Sequence, residues 1–241
     1  MIVISHRGAS GYAPENTLPA FEKALQMGAK AFEFDVQRSK DGKLIVHHDY
    51  DFSRTAKDKR KIAQLDYKEI EKINAAAHFK GANFAKVPLL SEVLDLIKDK
   101  SEFINLEIKN DGNIYPNIEA DILKESEKFP SLKEKIIISS FYFPSLEKTR
   151  ILSSSARLAY LGHKLSAILI APAVLKAKKI NCENFHLSRK ISFSANLKLI
   201  KSFGFKVCVY TVNERKEAEK LEEIGVYGIF SNYPDIMNKN G

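Results

Sequence analysis

Met1-Ile-Val-Ile-Ser-His-Arg-Gly-Ala-Ser-Gly-Tyr-Ala-Pro-Glu-Asn16 reads as a short apolar strand, Ile2 to Ile4, that runs into His6-Arg7-Gly8 and then into a glycine-punctuated loop. Pro14-Glu15-Asn16-Thr17 leads into a helix through Met27, with Leu18, Phe21 and Leu25 near one face, Thr17 as N-cap and Gly28 as its stop. This β-loop-α unit sets an imidazole and a guanidinium at the carboxyl end of a strand. In α/β proteins ligands bind at that end. Glu15 and Asn16, just before the helix, either shape the loop or orient groups of the site.

Working outward, Ala31 to Val36 alternates Phe32, Phe34 and Val36 with Glu33 and Asp35, so two carboxylates share one face of the second strand. An exposed strand face explains such alternation on its own, but the next stretch adds to it. Asp41-Gly42 signals a hairpin, and Lys43 to His48 follows too closely for a parallel crossover, so the two strands are antiparallel. A two-residue loop predicts Asp35 opposite His48 and turns His47 to the other face, in a structural role. Phe103 to Ile108 forms another strand, ending in Leu106-Glu107-Ile108-Lys109, with Glu107 and Lys109 on one face. Together Glu33, Asp35 and Glu107 make an oxygen-rich pocket suited to Mg²⁺ or Ca²⁺. His6 and His48 are an acid/base pair, and Arg7 and Lys109 are cations for an anionic substrate.

Beyond these, strands are predicted at Lys135 to Ser140, Arg157 to Leu161, Asn184 to Leu187, Lys206 to Thr211 and Gly228 to Ser231, with helical segments between most of them. With the three strands already named they make eight β and α units, the size of a single (β/α)₈ TIM barrel spanning residues 1–241. Residues 51–88 are expected to be a small helical insertion after the hairpin, carrying the basic run Lys57 to Lys61 and a helix from Asp66 to Ile73. Ser91 is the expected cap of a helix through Ile97. Phe141, Tyr142, His163 and Tyr210 stand at or just beyond strand carboxyl ends, as candidate pocket walls. His78 and His186 receive no role.

Composition narrows the classes. A 44% apolar fraction supports a sizeable core, and two cysteines, Cys182 and Cys208, are neither a disulfide framework nor a metal-binding spacing. No apolar run reaches the ~18 residues of a membrane helix, and His6 follows the first residue too closely for a signal peptide, so the expectation is a cytoplasmic protein with no stable membrane anchor. The net charge of +8 comes from lysines scattered along the chain rather than blocked, which counts against nucleic acid as a partner; it fits a basic field around a small anionic substrate, and a generally lysine-rich composition produces it equally.

His6-Arg7-Gly8, Pro14-Glu15-Asn16-Thr17, Gly28-Ala29, Glu33-Phe34-Asp35-Val36, Asp41-Gly42, His48-Asp49, Leu106-Glu107-Ile108-Lys109 and Thr211-Val212-Asn213 resemble the glycerophosphodiester phosphodiesterase family in order and spacing, over nearly the whole chain. The resemblance implies hydrolysis of glycerophosphodiesters, such as glycerophosphocholine and glycerophosphoethanolamine, to glycerol 3-phosphate and an alcohol. It also implies two histidines as general acid and base and three acidic residues on Mg²⁺ or Ca²⁺, which fall on His6, His48, Glu33, Asp35 and Glu107. The chain departs from the family at three places: lysines follow Arg54-Thr55 where glycines are usual, Tyr210 replaces a common tryptophan, and the segment Gly225 to Pro234 lacks its usual aspartates. Two alternatives stand beside hydrolysis. A phospholipase-D-like lyase forming cyclic phosphates from lysophospholipids belongs to a secreted, disulfide-containing group. A non-catalytic phosphate-binding barrel would not need both histidines.

Overall fold

Short β-branched and aromatic runs account for the strands of this computed structural model, which describes residues 1–162, 167–192 and 194–238. Ile2–His6 (β1), Ala31–Arg38 (β2), Phe103–Ile108 (β6), Ile136–Ser140 (β7), Leu158–Gly162 (β8), Asn184–Ser188 (β9), Lys206–Tyr210 (β10) and Gly228–Ser231 (β11) run parallel around a closed ring. β1 closes it, pairing with β11 on one side, Ile4 beside Phe230, and with β2 on the other, His6 beside Glu33. Helices Leu18–Gln26 (α1), Leu90–Ile97 (α4), Ile118–Ser126 (α5), Phe143–Leu152 (α6), Ala167–Lys179 (α7), Ser194–Ser202 (α8) and Arg215–Glu223 (α9) occupy the crossovers. This is the (β/α)₈ barrel that the alternation of units predicts.

The strand period of two separates two cores. Phe32, Phe34 and Val36 face outward to the helices, where Phe21 of α1 meets Phe34 edge-on with ring centres 5.8 Å apart. A second cluster, Ile4, Ala31, Phe103, Ile137, Ala159, Cys208 and Phe230, fills the barrel's interior. One step further along the same faces stand His6, Glu33 and Asn105, so an apolar floor supports a polar upper layer. Both cysteines are buried and unpaired, as expected of core residues. Among the described residues no helix is long and apolar enough to cross a membrane.

The hairpin differs from its expected register. Leu44–Val46 (β3) pairs with β2 as Val36 with Val46 and Arg38 with Leu44, and the His47 N–H donates to the Asp35 carbonyl at 3.0 Å. The residue opposite Asp35 is therefore His47, not His48. The cause is a three-residue loop, Lys40-Asp41-Gly42, closed by the Ser39 N–H on the Lys43 carbonyl at 2.9 Å, with Gly42 left-handed at φ +85°. His48 lies past the end of β3.

Residues 51–88 also differ in kind, because they are not purely helical. Asp51–Phe52 (β4) and Asp58–Lys61 (β5) form a small antiparallel ribbon around the one-turn helix Ser53–Ala56 (α2), so most of the basic run is strand. Lys57 makes the reversal at φ +57°, and the Arg60 fork folds back onto Asp58 at 2.7–3.1 Å. The helix expected through Ile73 is the single turn Tyr67–Ile70 (α3). α4 begins at Leu90, one residue before Ser91, because the Glu92 carboxylate accepts the Leu89 N–H at 2.9 Å and so caps the turn from inside.

At the amino-terminal rim of the barrel, Glu183 ties three strands together. Arg157, just before β8, forks onto it at 2.7 and 2.9 Å, and Lys206 of β10 reaches it at 2.8 Å. The Arg157 hydrogen bonds, reinforced by Lys206, hold the Glu183 carboxyl at about 2 against its ordinary 4.5. A depressed folded-state value means that the stabilisation is complete above the ordinary value and is lost as pH falls through the lower one. Glu183→Gln is therefore expected to unfold about 1 kcal/mol more easily at pH 7. Denaturation curves of variant and parent should converge as pH drops from 4.5 toward 2.

Candidate active site

His6 is the last residue of β1 and faces the barrel interior. Its Nδ1 lies 2.7 Å from the Asn232 side-chain oxygen, and Asn232 is itself held by its N–H on the Asn213 side chain at 2.9 Å. An amide oxygen in that place assigns the proton to Nδ1 and leaves the Nε2 lone pair free, 4.0 Å from Glu33 Oε2. Burial, with the Arg7 charge added, lowers the imidazole to about 3 and keeps it neutral.

Arg7 adopts the left-handed conformation, φ +58°, which aims its N–H at both the backbone and the side-chain oxygen of Glu33, 3.0 and 2.9 Å away. Its guanidinium meets Glu15 at 2.9 Å and Asp35 at 3.4 Å. Gly8 continues the turn at φ +79°, with a β-carbon's place only 2.7 Å from the Ala20 backbone, so no larger residue fits.

Glu33 and Asp35 of β2 and Glu107 of β6 converge from neighbouring strands. Each offers a carboxylate oxygen within 4.8 Å of the others, and all three are buried. Asn16 donates to Asp35 Oδ2 at 2.9 Å, while Asp35 Oδ1 is buried with no hydrogen bond among the described residues. Lys109 Nζ stands 3.0 Å from Glu107, 3.9 Å from Asp35 Oδ1 and 3.5 Å from His48 Nε2. Burial, and then the Asp35 charge, raise the Glu33 carboxyl well above its usual range, and burial raises Glu107. Burial pushes Asp35 the same way, but Arg7, His48 and Lys109 together hold it low.

The charge inventory points the same way. Five carboxyl groups, Glu15, Glu33, Asp35, Asp49 and Glu107, face three cationic side chains, Arg7, Arg54 and Lys109, so acidic groups are in excess. An all-oxygen donor set, an Asp35 oxygen without a hydrogen bond among the described residues and that excess of acidic groups fit one hard divalent cation.

His48 is held from two directions. Gln37 donates to the carbonyls of His47 and Asp49, each at 2.8 Å, and Tyr115 in turn donates to Gln37 at 2.8 Å. On the ring side, His48 Nδ1 lies 2.7 Å from Asp49, and Arg54 of α2 reaches the other Asp49 oxygen at 2.7 Å. The same guanidinium forks onto Glu15 at 2.7 and 2.6 Å.

Between these groups opens a cavity of about 240 Å³, with His6, Arg7, Glu33, His48, Asn105 and Glu107 on its polar side and Phe141, Leu161, Tyr210 and Phe230 on its apolar side. A larger hollow of about 510 Å³, lined by Leu123, Ile136, Leu152 and Arg157, lies between helices on the outside of the barrel and contains no comparable cluster.

All seven site residues expected from the sequence thus meet at one end of the barrel. Phe141 and Tyr210 line the cavity, whereas Tyr142 precedes α6 outside it, and His163 lies outside the described residues. His47 is buried against Phe52, its Nε2 3.2 Å from the Asp51 carbonyl, and His186 is buried beside Phe230. The sequence had no signal for Asn232, Gln37 or Arg54 as partners of the histidines, and only an open choice for Glu15 and Asn16.

Residues 6–236 match the glycerophosphoryl diester phosphodiesterase family. The chain belongs to that family. It is 33% identical to a glycerophosphodiester phosphodiesterase of Bacillus altitudinis, over 97% of this chain and 95% of the relative, and 31% identical to one of Bacillus subtilis, over 99% and 86%. The solved phosphodiesterase of Oleispira antarctica, in complex with the product sn-glycerol-3-phosphate, superposes with a TM-score of 0.80 at 27% identity, over 97% of this chain and 94% of the other.

Within this phosphodiesterase, Asn232 is a neutral partner for His6. Asn232→Asp sets a carboxylate beside the imidazole, which favours the charged ring and should raise His6 from about 3 by about one to three units. Titration of the His6 ring by NMR in metal-free protein measures this, and an unmoved or lowered value contradicts the pairing.

Proposed function

We propose that this glycerophosphodiester phosphodiesterase hydrolyses small glycerophosphodiesters, such as glycerophosphocholine and glycerophosphoethanolamine, to glycerol 3-phosphate and an alcohol, in a divalent-metal-dependent reaction. The observation that carries the proposal is the convergence of Glu33, Asp35 and Glu107 beside two histidines that come from different elements. The product complex of the Oleispira antarctica relative supports the substrate class. The chain acts as one barrel domain over residues 1–241, with 51–88 as an insertion in it.

A phosphodiester carries a negative charge that repels a nucleophile, and its alkoxide leaving group needs a proton. Glu33, Asp35 and Glu107 would hold Mg²⁺ or Ca²⁺, which supplies Lewis-acid charge at a phosphate oxygen. Arg7 offers its fork to the remaining oxygens, and Lys109 adds a point charge next to His48. His6, held neutral with Nε2 free, accepts the proton of the attacking hydroxyl or water. His48, whose Nδ1 is backed by Asp49, is oriented with Nε2 toward the leaving oxygen and gives it a proton. Phe141, Tyr210 and Phe230 form the apolar wall along the glycerol or headgroup carbons.

Release of glycerol 3-phosphate from a panel of glycerophosphodiesters tests this, with chelator and with Mg²⁺, Ca²⁺ or Mn²⁺ restored. Activity should vanish with chelator and return with metal. His6→Ala and His48→Ala should each lose about 10²–10⁴-fold on glycerophosphocholine. On a diester with a p-nitrophenolate leaving group, which departs without a proton, His48→Ala should recover most of its loss and His6→Ala should not. The opposite pattern exchanges the two roles, and metal-independent turnover refutes the metal assignment.

A further inference from the structure

Arg54 stands outside the cavity lining, on the one-turn helix α2 of the insertion, with its side chain 45% exposed. An ion pair on such a rim ordinarily contributes little. This one is unusual in what its two ends reach. Nε donates to Asp49 Oδ2 at 2.7 Å, while Asp49 Oδ1 holds His48 Nδ1 at 2.7 Å. Nη1 and Nη2 donate to both oxygens of Glu15 at 2.7 and 2.6 Å, and Glu15 Oε1 also accepts from Arg7 Nη1 at 2.9 Å. One planar fork therefore fixes two carboxylates, and each carboxylate orients a different group of the site.

The backbone under Arg54 is anchored independently of this network. Phe52 and Thr55 on either side are buried, and the Thr55 carbonyl accepts the His78 N–H at 3.0 Å. The insertion thus delivers the guanidinium to the rim from a fixed base. Without it, among the described residues, Asp49 keeps His48 as its side-chain partner and Glu15 keeps Arg7.

We propose that Arg54 is a positioning residue that couples His48 to Arg7, holding Asp49 and Glu15 at one spacing so that the proton donor and the phosphate clamp stay in mutual register. The proposal rests on the roles given above to His48 and Arg7. It assigns the insertion a part in turnover, through geometry alone and without contact with the substrate. A lysine cannot reproduce it, because an ammonium lacks the planar fork that spans two carboxylates.

The test uses the full chain with restored metal and glycerophosphocholine. Arg54→Ala is expected to lower kcat by about 10- to 100-fold, the scale of a small misplacement of a reacting group, with KM changed less than about threefold. Its thermal unfolding should match the parent's, since the side chain is half-exposed. Millimolar guanidinium should restore much of the lost rate, and Arg54→Lys should fall between parent and alanine. Asp49→Asn combined with Arg54→Ala should be no worse than Asp49→Asn alone on the His48 side, because both cut one relay. If Arg54→Ala keeps kcat within about twofold while His48→Ala is inactive, the coupling is wrong and the site assignment stands. A loss that guanidinium does not restore and that adds fully to Asp49→Asn also overturns the coupling. If His48→Ala itself remains active, the proposed reaction chemistry falls first.

Discussion

Three carboxylates held within 4.8 Å of one another, away from water, repel strongly, and most of the polar architecture at the top of this barrel answers that repulsion. Arg7 approaches Asp35 and Glu15, Lys109 approaches Glu107 and Asp35, and Asn16 gives Asp35 its one amide donor. The answer is incomplete. Asp35 Oδ1 has no hydrogen bond among the described residues, and burial leaves Glu33 and Glu107 with raised affinity for protons. Buried carboxylate oxygens arranged in this way could hold a cation.

The barrel makes that arrangement tolerable. Its lower interior is apolar, from Ile4 and Ala31 round to Cys208 and Phe230, so cohesion there does not depend on the polar layer above. The parallel strands then end together and present their last inward residues to one another. β1 contributes His6, β2 Glu33 and Asp35, and β6 Glu107, in adjacent register. Loop residues supply the rest, each fixed by a specific backbone device: the left-handed turn at Arg7 and Gly8, and the Gln37 amide that clasps the carbonyls on either side of His48.

Much of this was legible in the sequence, and the boundary follows from range. The eight strands, and the shared face of Glu33 and Asp35, follow from a period of two that acts between neighbouring residues. The hairpin register went astray by one residue because Asp41-Gly42 fits both a two- and a three-residue loop, and only Gly42 at φ +85°, with Ser39 closing on Lys43, decides between them. Even so, His48 reaches the cavity, because the chain leaves β3 before it and is redirected by Gln37. Ser91 looked like a cap because hydroxyls usually serve there, but Glu92 reaches back to Leu89 first. Tyr115 had no local signature at all, and Asn232 and Arg54 stood only in segments noted for other reasons, with nothing to name their partners. Each is polar and ordinary in its own neighbourhood, and gains its meaning only from a partner brought near by tertiary folding.

The contact between His6 and Asn232 joins the first strand of the ring to the residue just after the last, 226 positions apart. The acidic and basic groups of the site all lie at or before Lys109, yet the His6 ring is held by a side chain that follows the last strand of the ring. The pairing of β11 with β1 is therefore what brings His6 its partner, so closure of the barrel and completion of the site are one structural event.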